Sequence, residues 1–286
     1  MSNNQITLSG PEGSSATITL FGAHVVSFKT SKGQECFFMS TKSSLTGPEP
    51  IRGGIPICWP AFAQPDPNGP FSKLALHGFA RQQIWTHHET DSPAKAVFTL
   101  ESNDKLKENF PHDFKLKYIV EITSGTSIKV TMEVENPSIS SSNLPFQFAL
   151  HNYLRLPESV YPHDVTVDKV LKGLEYKNLM EGGMMESESR DTFVFEKKGT
   201  GRLYSPVPNS FTAKLGDKGA FKIESEGEKL QDLVTFQPGE ERGNGVPDLH
   251  AGGWKEFVCF EPARIHDIAD LQPGQTWTAS QTITSL

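Results

Sequence analysis

Polar and apolar residues alternate along this chain, segment after segment, and a period of two restricts it to half-buried β-strands. In Ala16-Thr17-Ile18-Thr19-Leu20, in Lys115-Leu116-Lys117-Tyr118-Ile119-Val120 and in Ser127-Ile128-Lys129-Val130-Thr131-Met132-Glu133-Val134, apolar side chains fall on one face. Such segments have a dry face and a wet face, as antiparallel strands do. Residues 96–100, 145–150, 191–195, 211–215, 219–223, 233–236 and 276–283 are predicted as further strands. Ser124-Gly125, Lys218-Gly219 and Gln272-Pro273-Gly274 supply turns between them. No long stretch has a period of 3.6, and no repeat or low-complexity linker divides the chain. A length of 286 residues would by itself suggest two domains, yet sandwiches of this size form one. Many short strands with 24 Gly and 20 Pro therefore predict one all-β sandwich domain spanning residues 1–286.

Charge excludes some partners. The formal net charge is -7, so nucleic acid and anionic membrane surfaces are expected to be repelled, although a local basic pocket for a small anion is not. Cys36, Cys58 and Cys259 have apolar or aromatic neighbours and no C-x-x-C spacing, which predicts buried, reduced thiols rather than disulfides or a zinc site. The opening Met1-Ser2-Asn3-Asn4-Gln5 lacks a basic and an apolar region. No window approaches the run of about 18 apolar residues that spans a bilayer. A cytoplasmic protein is expected. With no evident interface helix or exposed apolar strand, so is a monomer.

Chemistry-bearing residues gather at the ends of apolar runs. Glu261 follows Phe257-Val258-Cys259-Phe260 and precedes Pro262; a carboxylate at the end of such a strand calls for something polar opposite it. Burial there would raise its pKa toward the range of a general base. Residues 47–70 and 240–253, rich in Gly and Pro, read as long irregular loops that could wall a site. Arg52 opens Arg52-Gly53-Gly54-Ile55-Pro56, His77 opens His77-Gly78-Phe79-Ala80-Arg81, and His151 opens His151-Asn152-Tyr153-Leu154-Arg155. Two histidines and a carboxylate suit proton transfer near neutral pH. An arginine beside two glycines suits an oxyanion or phosphate. On their own, Arg81 and Arg155 read first as partners of surface acids. His87-His88 reads as an exposed turn. Trp59, Phe62 and Phe71 are either core or a platform for a sugar, core being the safer reading.

Taken together, Arg52-Gly53-Gly54-Ile55-Pro56, His77-Gly78-Phe79-Ala80-Arg81, His151-Asn152-Tyr153 and Cys259-Phe260-Glu261-Pro262 with His266-Asp267 resemble the aldose 1-epimerase family. They are most similar to its hexose-6-phosphate mutarotase branch. The resemblance implies a galactose-mutarotase-like β-supersandwich of antiparallel sheets and interconversion of α and β anomers through the open-chain aldehyde, with no metal or other cofactor. It implies Glu261 as general base on the O1 hydroxyl and His151 as general acid on the ring oxygen. Arg52 and His77 would bind the sugar, and Arg81, helped by Lys73, the 6-phosphate. His266-Asp267 would either orient Glu261 or close a turn. Relatives often carry an Asp that binds sugar hydroxyls where this chain reads Gly201-Arg202-Leu203-Tyr204. Either the correspondence slips there, or another acid such as Asp248 substitutes as a substrate-binding residue, or the substrate is held more loosely. A mutarotase of unphosphorylated aldoses and a sugar-binding module without turnover are the other readings.

Overall fold

The computed structural model describes residues 4–227 and 230–286. Antiparallel strands build three sheets, and the predicted alternation accounts for their burial. In the strand Ser127–Glu135, Ile128, Val130, Met132 and Val134 are buried while the residues between them are partly wet. A nine-stranded sheet runs in the order Thr192–Val194, Val165–Asp168, Ser210–Leu215, Ala220–Gly227, Thr276–Ser285, Ser127–Glu135, Lys115–Ser124, Lys95–Glu101 and Thr86–His88. His87 and His88 thus lie on an edge strand, not in the turn expected of them.

Five strands carry the other large sheet at the point that matters: β1 (Leu144–Leu150), β2 (Tyr153–Arg155), β3 (Thr200–Tyr204), β4 (Asp232–Gln237) and β5 (Phe257–Leu271). β5 lies between β4 and β1, and also pairs with β2. Gln5–Ser9, Ser15–Thr19 and His24–Lys29 form the third sheet. The main apolar core runs from Leu8 to Ile283 and includes Trp59, Phe71, Phe146, Phe260 and Trp277. Trp59 and Phe71 are therefore core. Only Phe62 of the three candidate platform rings faces a cavity.

Two expectations need correction. Glu261 does not end a strand: β5 continues through Pro262 to Leu271, with a register shift against β1 between Arg264 and Ala269. Pro262 is tolerated in the sheet interior where β5 pairs with Leu233. Residues 240–253 are not wholly irregular, since a helix occupies Gly239–Asn244 and a 3-10 turn begins at Gly253. All three cysteines are buried and free. No helix among the described residues is long and apolar enough to cross a membrane.

Candidate active site

Local backbone geometry brings the site together. Gly53 and Gly54 take φ of 127° and 60°, and a Cβ on either would strike the carbonyl oxygens of Phe38 or Val25 at 2.3 and 2.2 Å. Only glycine permits so close an approach. The turn they allow is held by His24, whose buried Nε2 donates to the Gly53 carbonyl at 2.7 Å. Burial lowers the His24 pKa to about 4, so the ring is the neutral donor this contact needs. Tyr153 N–H then donates to the Gly54 carbonyl (2.9 Å) and His151 N–H to that of Pro56 (3.1 Å), which ties the arginine turn to the start of β2.

Arg52 is oriented from two sides. Its Nε and Nη2 donate to the Asp248 carboxylate at 3.1–3.2 Å, and its Nη1 donates to the Tyr153 hydroxyl at 2.9 Å. Between His151 and Tyr153, the buried Asn152 exchanges amide hydrogen bonds with Gln281 (2.7 and 2.8 Å) and donates to the Phe260 carbonyl (2.8 Å). This fixes the turn that carries His151 against the strand that carries Glu261.

Strand period places the carboxylate. Glu261 pairs with Val234 and Cys259 with Phe236 across β4 and β5, so residues two apart share a face. Val234, Phe236, Glu261, His151, His77, Arg52, Tyr153 and Phe62 all line one cavity of about 440 Å³, within the usual range for a small-molecule site. A larger hollow of about 900 Å³ beside Arg155 and Lys255 holds mixed charges and no histidine. The smaller cavity is therefore the one that gathers two histidines and a carboxylate.

Glu261 is 1% exposed. Its Oε2 has no hydrogen-bond partner, and its Oε1 lies 3.5 Å from His151 Nδ1, which is equally unpartnered. Burial pushes the Glu261 carboxyl well above the ordinary carboxylate range. His151 is pushed well below the ordinary imidazole value by burial, then by His77, Arg52 and Arg81. Both shifts favour the uncharged forms, as expected of ionisable groups taken out of water without strong partners.

His77 sits at φ 63°. Its Nδ1 accepts the Ala63 N–H at 3.1 Å, so in the neutral ring the proton is on Nε2. Burial first, then the charges of Arg81 and Arg52, lower its pKa to about 3. It is a neutral hydrogen-bond donor edge-on to His151, with ring centroids 5.6 Å apart.

Not every expected residue reaches the cavity. Arg81 is 9% exposed, donates through Nη2 to the Leu76 carbonyl (2.7 Å) and does not line it. No carboxylate pairs with it among the described residues. Asp248 likewise lies off the wall, with its carboxylate committed to Arg52. Lys73 is exposed and away from the lining. His266 and Asp267 are exposed on β5, and Asp267 faces Arg264 rather than Glu261. Gly201, in the stretch that lacks the Asp of relatives, is covered by Leu179 and Met180, which would lie 3.3 and 3.1 Å from a Cβ there. Those two residues form the wall of the cavity instead. One lining cation was missed: Arg242, on the Gly239–Asn244 helix, whose Nη1 contacts the Met180 sulfur at 3.2 Å. Its stretch reads as an acidic, glycine-rich loop, so the sequence carried no signal for it.

The profile of the aldose 1-epimerase family matches residues 4–284. The chain belongs to that family. A protein of Cenchrus ciliaris named "Putative glucose-6-phosphate 1-epimerase" is 27% identical over 96% of this chain and 82% of its own length. One from Escherichia coli with the same name is 28% identical over 87% of this chain and 79% of its own. Among solved structures, a "putative mutarotase (YeaD)" of Salmonella typhimurium superposes with a TM-score of 0.81 at 23% identity, covering 98% of this chain and 90% of that one. A GalM/aldose epimerase homologue of C. elegans gives 0.71 at 11% identity, with 99% and 98% covered. At these identities the structural likeness speaks for the fold, a galactose-mutarotase-like arrangement of antiparallel sheets.

Proposed function

We propose that this aldose 1-epimerase family member interconverts the α and β anomers of a hexose 6-phosphate, with glucose 6-phosphate its first candidate. The observation that carries the reading is the buried, otherwise unpartnered pair His151 and Glu261, 3.5 Å apart on the wall of a sugar-sized cavity. Glu261 takes the proton of the anomeric O1 hydroxyl as the imidazolium of His151 delivers one to the ring oxygen. The C1–O5 bond breaks and an aldehyde forms. Rotation about C1–C2 and reclosure, with both protons returned, yield the other anomer. The reacting ion pair forms from the uncharged forms that burial favours by passing one proton from Glu261 to His151 across 3.5 Å, and ring opening returns both groups to those uncharged forms. Each positioned proton transfer is worth ~10²–10⁴-fold. His77 Nε2–H and Arg52 hold sugar oxygens, and Asp248 acts on the sugar only through Arg52.

The phosphate reading is supported by the charges on the wall and by the names of the relatives. Arg52 and Arg242 line the cavity, and Glu261 is its sole acidic lining residue among those described. Asp248 offsets Arg52, whereas the described contact of the Arg242 guanidinium is a thioether sulfur. We assign Arg242 to the phosphate, with Arg81 contributing its charge from behind the wall. The test is α-to-β exchange of glucose 6-phosphate and free glucose in parallel, by NMR saturation transfer. Faster exchange of the phosphorylated sugar alone, lost on Arg242→Ala, is expected. Acceleration of free glucose instead would make the chain an aldose mutarotase. Acceleration of no hexose would reduce it to a sugar-binding relative.

A further inference from the structure

Behind the catalytic pair, off the cavity lining, lies a third group that ring opening does not use. Cys259 is fully buried and lies two residues before Glu261 on β5, on the same face. Its sulfur, a ring nitrogen of His151 and a carboxylate oxygen of Glu261 all fall within 4.8 Å of one another. His151 Nδ1 and Glu261 Oε2 are buried and unpartnered, so two strong donors stand beside a thiol with nothing bound to them.

We propose that His151, Cys259 and Glu261 form a latent site for a soft divalent cation, of the Zn²⁺ or Cd²⁺ class, and that its occupancy shuts off turnover. This binding does not follow from the family activity, and its inhibitory half rests on the acid–base reading given above. Tetrahedral coordination with bonds of about 2.0–2.1 Å to nitrogen and oxygen separates those two ligands by about 3.3 Å. The observed 3.5 Å between His151 Nδ1 and Glu261 Oε1 is already near that. Closing the sulfur from at most 4.8 Å to the roughly 3.6 Å of tetrahedral coordination requires a shift of about 1.2 Å at most, and the cavity, reached through His151 and Glu261, offers the fourth position to water. Binding sends the thiol proton to solvent. A thiolate, a carboxylate and a neutral imidazole then balance the dication, leaving no net charge in a buried place. Hard cations are disfavoured: only two of the ligand atoms are N or O, and the charges of Arg52 and Arg81 nearby oppose any ion not held by a strong metal–sulfur bond. Once bound, the metal holds the lone pairs of His151 and Glu261, and neither can move a proton.

The test titrates Cd²⁺ into the whole protein and follows the ultraviolet charge-transfer band of a Cd–thiolate bond together with anomer exchange. One equivalent should saturate the band, slow exchange in step with it, and be reversed by chelator. Cys259→Ala should abolish the band and weaken inhibition on the order of 100-fold while metal-free exchange persists. Cys36→Ala and Cys58→Ala should change neither reading. Should Cys259→Ala fold poorly, X-ray absorption at the cadmium edge of the unaltered protein decides, with one sulfur among lighter neighbours expected. Absence of the band at stoichiometric metal, or its survival in Cys259→Ala, would overturn the site. Full occupancy with undiminished exchange would overturn the inhibitory half and remove His151 and Glu261 from the acid–base roles. If no hexose is turned over, the absorption measurement alone still decides the site.

Discussion

Two glutamates of this molecule are equally hidden and oppositely treated. Glu261 and Glu188 are 1% and 2% exposed. Glu188 receives Nε and Nη2 of Arg190 and Nη1 of Arg202, all at 2.7 Å, with the Arg190 N–H and the Tyr204 hydroxyl at 3.1 Å. Arg202 also lies over the Tyr176 ring, 4.5 Å from its centroid. Burial alone would raise the Glu188 pKa, but the hydrogen bonds and charge of Arg190, then Arg202, outweigh it and hold the carboxyl below its ordinary range. Glu261 has a histidine just beyond hydrogen-bonding distance and nothing else, and burial raises it. Burial does not decide what a carboxylate is for; the groups within 3 Å of it do. Glu188 is committed to two arginines and holds β3 to the neighbouring loop, whereas Glu261 Oε2 has no partner, the condition the proposed proton transfer requires.

The largest effect that tests this contrast is on stability. Glu188→Ala takes a buried partner from Arg202, which keeps Glu196, and from the one-third-exposed Arg190, and should cost about 3 kcal/mol, read as a lower denaturation midpoint, with exchange by the folded fraction unchanged. A loss below about 1 kcal/mol would mean that its bonds merely replace water. Next is Asp248→Asn, which keeps the shape but loosens Arg52. The pair is about one-third exposed on each side, so a rise in KM of about tenfold with little change in kcat is expected. Equal falls in kcat and kcat/KM would instead put Arg52 in the transition state.

The smallest effect has a sign that depends on pH. Because its folded pKa is raised, Glu261 costs stability as pH rises from the ordinary carboxyl value toward the folded one, and costs nothing in stronger acid. Glu261→Gln should therefore stabilise the protein at neutral pH, a gain that vanishes below about pH 4. Glu188 behaves in reverse, contributing stability above the ordinary carboxyl value and losing it as pH falls through its lowered one. Chemical denaturation of both variants at several pH values should give curves that approach the parent protein in acid from opposite sides.

The fold was legible because its strands are half wet, and the alternation of Ser127–Glu135 or Lys115–Ser124 is written in the residues themselves. Short strands such as Ile57–Cys58 and Thr200–Tyr204 offered too few residues for a period to show. Glu261 and His151 do come together on one cavity wall, but the end of the strand was misplaced, since Glu-Pro reads as a stop while Pro262 sits inside the sheet. The pairing of Asp248 with Arg52 was not legible, because it joins residues 196 apart in sequence. His24 and Arg242 were missed for opposite reasons. A histidine among Ala23, Val25 and Val26 reads as core, and an arginine after Glu240 and Glu241 reads as surface. The Glu188 cluster was invisible for the same reason: Glu186-Ser187-Glu188-Ser189-Arg190 looks like a solvated loop.

The central claim is that Glu261 is left unpaired so that it can move a proton. Its most direct test is α-to-β exchange of glucose 6-phosphate, measured by saturation transfer with Glu261→Gln at saturating substrate. Glutamine keeps the shape and cannot accept the O1 proton, so the account predicts an exchange rate lower by ~10²–10⁴-fold, with substrate binding retained. Exchange at the parent rate in a folded, substrate-bound Glu261→Gln protein would contradict it.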